Sequence, residues 1–92
     1  MEPLSDDEIE ANLAGLEWER EGNAITRGLE RESFADAIAF VNAVADLAER
    51  FDHHPDILVH GYRRIRLTLT THSAGGITER DFGLAAAIDA LA

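Results

Sequence analysis

Histidines and carboxylates cluster at two places in the chain, each beside residues that interrupt regular structure. The first cluster is Asp52-His53-His54-Pro55-Asp56, with Glu49 one helical turn before His53. The second is Thr70-Thr71-His72, followed after a glycine pair by Asp81. Histidine titrates near neutral pH, so one imidazole can donate a proton while another accepts one. These residue types are typical of a site for general acid–base catalysis.

An amphipathic helix is predicted directly before the first cluster, from about Phe34 to Phe51. Ser33 and Asp36 have the spacing of a helix cap. Pro55 disfavours helical geometry at His54, so the helix is expected to end before the histidine pair. Apolar residues recur at helical spacing and form one stripe. Its members are Phe34, Ala37, Ile38, Val41, Val44, Ala45 and Ala48.

A β-hairpin is predicted between the two clusters. Apolar and polar residues alternate over residues 64–70, which indicates a half-buried strand with one solvated face, and Ile57–Tyr62 forms its shorter partner. The start of the first strand of such a hairpin lies opposite the end of the second. His72 is therefore expected beside His53 and His54, where Thr78 and Asp81 also cap the last helix.

The N-terminal third supplies the remaining elements. Ser5 and Glu8 have capping-box spacing for a short helix that carries Ile9, Leu13 and Leu16 inward and stops near Gly15. Strands are predicted at Leu16–Arg20 and Ala24–Leu29, on either side of a Gly22-Asn23 turn. The order α-β-β-α-β-β-α predicts a single α+β domain over residues 1–92. Its four-stranded sheet is mainly antiparallel, with the helices on one face.

Length and composition restrict the class of protein. A chain of 92 residues with 46% hydrophobic residues makes one small domain, whose limited core favours oligomerisation. Eight basic and 18 acidic residues give a formal charge of −10, which repels nucleic-acid phosphates. The chain has no cysteine, no signal-peptide pattern and no apolar run long enough to span a membrane. A cytoplasmic protein that binds neither membranes nor nucleic acid is expected.

Each histidine also has a less specific explanation. A His-His pair before proline is compatible with an ordinary polar loop, and His60 alternates with Val59 on a predicted strand and is expected to be structural. Three imidazoles could hold a catalytic zinc ion. Adjacent histidines do not easily aim at one ion, however, and the helical His–His spacing of zinc proteases is missing, so no metal site is expected.

The runs Ala48–Asp56 and Leu69–Asp81 resemble the two central motifs of the pterin-4a-carbinolamine dehydratases. The likeness is close after Phe34 and weaker before it. The resemblance implies the same α+β fold in a homodimer or homotetramer. It also implies dehydration of a 4a-hydroxytetrahydropterin to the quinonoid dihydropterin, with no metal or bound cofactor. That reaction regenerates the cofactor of aromatic amino-acid hydroxylases.

The same resemblance implies roles for individual residues. The acid–base set is His53, His54 and His72, with donor and acceptor unassigned because neighbouring imidazoles titrate as a coupled group. The orienting carboxylates are Glu49 and Asp81. The expected pterin contacts are Asp52, Thr70, Thr71 and Trp18, although Trp18 is equally a candidate core residue. Animal relatives also serve as dimerisation partners of a homeodomain transcription factor. A non-catalytic pterin-binding or partner-stabilising protein is therefore the alternative.

Overall fold

Four antiparallel strands form one sheet, and three helices accompany it. The structure is a computed structural model that describes residues 1–92. The elements are α1 Asp6–Leu13, β1 Glu19–Glu21, β2 Ala24–Glu30, α2 Phe34–Phe51, β3 Asp56–His60, β4 Arg64–Leu69 and α3 Glu79–Leu91. The strand order in the sheet is β1-β2-β4-β3. The predicted α-β-β-α-β-β-α order and the antiparallel sheet are confirmed.

The alternation along β4 determines which face of the sheet is buried. Ile65, Leu67 and Leu69 are each 0% exposed and belong to the hydrophobic core, whereas Arg64 and Arg66 are exposed on the opposite face. Successive side chains of a strand point to opposite faces, so a period of two separates core from solvent. The helices pack on one face of the sheet, as predicted.

Helix α2 buries a narrower face than its apolar stripe predicted. Its buried residues are Ala37, Phe40, Val44 and Ala48. Phe34 and Ile38, two members of the predicted stripe, are 55% and 36% exposed, so the stripe is not buried over its whole width. Residues four apart share a helix face. Phe34 and Ile38 share one that is turned away from the face formed by Ala37, Val44 and Ala48.

The chain between α1 and β2 also differs from the prediction. Strand β1 begins at Glu19 rather than Leu16, and Leu16 is 39% exposed instead of pointing inward. The reason is that α1 ends at Leu13 and Gly15 then adopts a positive φ of 80°, which turns the chain. Trp18, two residues later, is buried at 3% exposure.

The hairpin turn between β3 and β4 begins earlier than predicted. Strand β3 ends at His60 because Gly61 and Tyr62 both have positive φ, 54° and 56°. The left-handed conformation cannot continue a strand. The register still pairs Asp56 with Thr68, so the start of β3 lies opposite the end of β4 as expected.

Helix α3 is fixed at both ends by polar contacts. Thr78 and Asp81 form a capping box at its start. Near its other end, the Asp89 carboxylate accepts hydrogen bonds from the Trp18 indole at 2.8 Å and from Arg27 at 2.5 Å. These contacts hold α3 against β2 and the segment that precedes β1.

Helix α1 begins with the predicted Ser5–Glu8 capping box. The Ser5 backbone N–H, and secondarily its hydroxyl, lower the pKa of Glu8 below its usual value. None of the helices combines the length and apolar character that crossing a membrane requires.

Candidate active site

The end of α2 directs the two adjacent histidines into different environments. Asp52 caps the helix in the left-handed region, with φ 49° and ψ 45°, and its N–H reaches the carbonyls of Ala48 and Glu49. The His53 N–H also returns to the Ala48 carbonyl, at 3.1 Å. After this reversal His53 is buried at 8% exposure while His54 is exposed. Pro55 favours extended backbone at His54, which keeps the pair out of the helix.

The segment after β4 forms a tight loop that carries His72. Thr71 and Gly76 pair with each other through backbone hydrogen bonds on either side of a 3-10 turn at His72–Ala74. Gly75 closes this turn in the left-handed region, with φ 74°. A residue without a Cβ adopts that conformation at little cost. His72 is consequently displayed at the tip of a short, hydrogen-bonded loop.

A buried carboxylate joins these segments. Asp81 is 0% exposed, and its Oδ1 lies 2.5 Å from His53 Nε2 although the residues are 28 apart in sequence. Its Oδ2 accepts hydrogen bonds from the Thr71 hydroxyl at 2.8 Å and the Thr78 backbone N–H at 2.9 Å. We infer that His53 Nε2 carries a hydrogen, because a carboxylate in this position is satisfied by three donors.

The other two histidines have different partners. His54 Nε2 lies 2.6 Å from Glu49 Oε2, and both side chains are largely solvent-exposed. Such an exposed pair contributes little stability, so its main effect is on the orientation of the ring. His72 is exposed and makes no side-chain hydrogen bond within the chain. His53 is therefore buried and bound to a carboxylate, His54 is exposed and paired, and His72 is exposed with no side-chain partner in the chain.

The three histidines line a single open cavity of about 260 Å³. The complete lining is Asp52, His53, His54, Thr70, Thr71, His72, Ser73 and Arg80. The predicted meeting of His72 with His53 and His54 is thus confirmed. Glu49 and Asp81 do not line the cavity, but each contacts one of its histidines.

Three of the four predicted pterin contacts line the cavity, and the fourth, Trp18, does not. Asp52, Thr70 and Thr71 line the cavity, but both threonine hydroxyls already donate within the chain. Thr70 donates to the Asn23 carbonyl at 2.6 Å and Thr71 to Asp81. Trp18 is not brought to this cavity, because its indole is bound to Asp89, two turns and about 12 Å along α3 from Asp81. Asp56 starts β3 and is not in the lining.

Arg80 is a cavity residue that sequence reasoning missed. Its guanidinium donates to the Asp52 carbonyl at 2.5 Å and so links the first turn of α3 to the end of α2. Arg80 is the one basic side chain of the lining besides the imidazoles. The sequence feature that could have indicated Arg80 is its position beside Asp81 in the capping sequence Thr78-Glu79-Arg80-Asp81.

The chain's histidines and carboxylates form no group of three or more that could hold a metal ion. His53 contacts Asp81 and His54 contacts Glu49, so the two rings face different carboxylates. The geometry gives no support to the zinc alternative.

The family is identified by comparison with known proteins. A family model described as pterin 4 alpha carbinolamine dehydratase matches residues 2–91. The chain therefore belongs to the pterin-4a-carbinolamine dehydratase family. A Chloroflexus aurantiacus relative is 54% identical over 90 residues, which cover 97% of this chain and 96% of the relative. A Natronomonas pharaonis relative is 45% identical over 89 residues, with 97% and 95% covered. Both are named, provisionally, as dehydratases of this family.

Two solved structures share the fold. The Brucella melitensis protein described as a transcriptional coactivator/pterin dehydratase has a TM-score of 0.91 and 34% identity, with 98% of each chain covered. A pterin dehydratase-like protein described as a RuBisCO assembly factor in the alpha-carboxysome has a TM-score of 0.68 and 29% identity. The match covers 84% of this chain and 90% of that one.

Replacing Asp81 by asparagine tests the buried network. The amide Nδ2 cannot accept a hydrogen bond, so at least one of the three donors loses its partner. We expect Asp81→Asn to lower the free energy of unfolding by about 1.5–3 kcal/mol, the range for hydrogen bonds to charged groups. Urea denaturation measures the change. Asp46→Asn, an exposed carboxylate on α2, is the control and is expected to change stability by less than about 0.5 kcal/mol. Equal stabilities of the two variants would contradict the network's role.

Proposed function

We propose that the protein is a hydro-lyase that converts a 4a-hydroxytetrahydropterin to the quinonoid dihydropterin and water. In the cell this activity would recycle the tetrahydropterin cofactor of aromatic amino-acid hydroxylases, in the cytoplasm. The observation that carries the proposal is the convergence of His53, His54 and His72 on one cavity. Membership of the family supports the same substrate class.

The reaction requires proton transfers at two positions of the substrate. A donor protonates the hydroxyl at C4a, the C–O bond breaks and water leaves. Electron density from the neighbouring ring nitrogen forms the C=N bond, and a base removes a ring-nitrogen proton. No electrons leave the substrate, so the reaction needs no oxidant. Because imidazoles can supply both the acid and the base, the proposed reaction uses no metal or bound cofactor, and the pterin is the substrate itself. Each positioned acid or base typically contributes about 10²–10⁴-fold to the rate.

His54 and His72 suit the proton transfers best. Both are exposed at the cavity, and each has at least one ring nitrogen free of partners within the chain. Either can act as donor or acceptor, because an imidazole ring can both donate and accept a proton through its two nitrogens. Glu49 orients the His54 ring through the 2.6 Å contact.

His53 belongs to the same set but is held differently. Asp81 fixes its Nε2, so His53 presents the remaining part of its ring to the cavity in one orientation. Such preorganisation avoids reorienting a polar group during the reaction. The pterin's amide-like edge needs paired donors and acceptors. We assign its contacts to the Asp52 carboxylate and the Arg80 guanidinium, with Thr70 and Thr71 forming the adjacent wall.

A second candidate function is stabilisation of a protein partner without catalysis. It is favoured by the solved relative described as a RuBisCO assembly factor, which has a dehydratase-like fold. Retention of three titratable side chains at one cavity favours the dehydratase, because protein binding does not require them.

We further propose that the chain forms a homo-oligomer. Strand β3 is an edge strand, and its Leu58 is 54% exposed. On α2, Phe34 and Ile38 present a second exposed apolar face. Burying such side chains is worth about 1.5–3 kcal/mol each, so both surfaces favour contact with further copies of the chain.

The turnover assay tests the proposed reaction. Wild-type protein is expected to accelerate loss of water from a 4a-hydroxytetrahydropterin, and His72→Ala to lower kcat by about 10²–10⁴-fold. His60→Ala is the matched control, because His60 lies on the exposed face of β3 away from the cavity and should keep the wild-type rate. The proposal fails if wild-type protein gives no acceleration or if His72→Ala is as fast as wild type. Tight pterin binding without turnover would favour the second candidate.

Light scattering tests the oligomer. Wild-type protein is expected to have the mass of a dimer or tetramer, and Phe34→Asp to lower that mass, since a charge in an apolar interface is unfavourable. Ala39→Asp, at an exposed position of α2 on another face, should leave the mass unchanged. A monomeric wild-type protein would contradict the proposal.

A further inference from the structure

Pro3 and Leu4 form a strap against the loop that carries His72. The Leu4 backbone N–H donates a hydrogen bond to the Ile77 carbonyl at 2.8 Å. Ile77 directly follows Gly76, the residue that closes the loop by pairing across it. One limb of the loop is therefore bound to a segment that lies far away in the sequence. Neither residue of the strap lines the histidine cavity.

The strap explains why position 76 is a glycine. Gly76 is buried and does not have a positive φ, so a left-handed backbone is not the reason for its identity. A Cβ at this position would lie only 3.2 Å from Pro3 Cβ and 3.4 Å from Pro3 Cγ. Carbon atoms in favourable contact are about 3.5–4.0 Å apart. The Pro3 ring therefore occupies the space that a side chain at position 76 would need.

Helix α1 fixes the direction of the strap. Leu4 precedes the Ser5 cap, and Leu4 and Ile9 hold the two positions of a hydrophobic staple, which sets the angle at which the chain enters a helix. Leu4 packs against the core cluster to which Ile9 belongs. The ring of Pro3 restricts its own φ. The contact at Gly76 is thus made by a rigid side chain on a segment that the core holds in place.

The loop is supported on both limbs. The Thr71 hydroxyl donates to the buried Asp81 carboxylate at 2.8 Å, and the strap holds the other limb. The 3-10 turn that displays His72 lies between these two supports. Thr71 and Gly76 exchange backbone hydrogen bonds of 3.1 and 3.3 Å, so a shift of Gly76 moves Thr71 and the histidine that follows it.

We propose that Pro3 and Leu4 position the His72 imidazole at the histidine cavity without contacting the substrate. The inference deepens the proposed function and rests on it where it concerns the reaction rate. A proton-transfer group must lie within hydrogen-bonding distance of the atom that it serves. Misplacing a reacting group by about 1 Å can lower the rate by about 10²-fold. The strap therefore acts on catalysis through the place of one ring.

A double-mutant cycle between Gly76 and Pro3 tests the proposal. Gly76→Ala is expected to lower kcat about tenfold with little change in KM, because the added methyl group displaces the loop from the Pro3 ring. Pro3→Gly alone should lower kcat about threefold, since the loop loses one support. In the double variant the methyl group fills the space that the ring has left. The loss is then expected to stay near threefold, whereas independent effects would give about thirtyfold.

The NMR resonance of the His72 imidazole gives a readout that does not require turnover. The chemical shift of its ring protons is expected to move in Gly76→Ala and to return toward the wild-type value when Pro3→Gly is added. Pro3→Ala should restore it less, because alanine keeps the Cβ that lies 3.2 Å from the added methyl group. Gly28→Ala is the matched control, since a Cβ there meets nothing within 4 Å. It should change neither kcat nor the resonance.

The outcomes separate this inference from the proposed reaction. Independent losses in the double variant, or a His72 resonance that stays unchanged in Gly76→Ala, would overturn the positioning role of the strap. A resonance that moves and returns as described supports it even if the protein does not dehydrate a 4a-hydroxytetrahydropterin. Absence of turnover in every variant would overturn the dehydratase proposal alone.

Discussion

The buried Asp81 carboxylate is the interaction on which the geometry of the site depends. A fully buried carboxylate is unfavourable by several kcal/mol unless hydrogen bonds and charge compensate it. Its compensating groups come from the end of α2, the end of β4 and the start of α3, through His53, Thr71 and Thr78. These three segments must therefore meet for Asp81 to be buried. The contacts that fix His53, and that hold Thr71 next to His72, are the same contacts that stabilise the buried carboxylate.

This arrangement gives the adjacent His53 and His54 different environments. His53 is fixed by a buried partner, while His54 and His72 remain accessible at the edge of an open cavity. A rigid group next to two accessible ones suits a reaction that moves protons to and from a small molecule. A solved structure with a similar fold is described as an assembly factor, so fold alone does not determine activity. The proposed activity therefore rests on the site residues and their geometry.

Periodicity in the sequence was sufficient to predict the order of elements and the meeting of the histidines. The alternation at Ile65–Leu69 identified the buried face of β4, and the antiparallel hairpin brought His72 to the end of α2. Chain reversals were less predictable. Gly15 and Tyr62 moved the bounds of β1 and β3, because a positive φ depends on local packing as well as residue type. Helix α2 carries more apolar side chains than one face can bury, so Phe34 and Ile38 could not be placed from spacing alone.

Contacts between residues far apart in the sequence could not be predicted either. Trp18 and Asp89 are 71 residues apart, and no local pattern indicates their hydrogen bond. Arg80 lay within a recognised motif, but only the folded end of α2 shows that it reaches the Asp52 carbonyl.

A crystal structure of the protein with 7,8-dihydrobiopterin would show whether the histidine cavity binds the pterin. We expect the pterin ring to lie between His54 and His72, with its amide edge toward Asp52 and Arg80 and the His53–Asp81 contact unchanged. A pterin bound elsewhere, or one seated at the rim with both exposed histidines beyond hydrogen-bonding distance of its reacting atoms, would contradict this expectation.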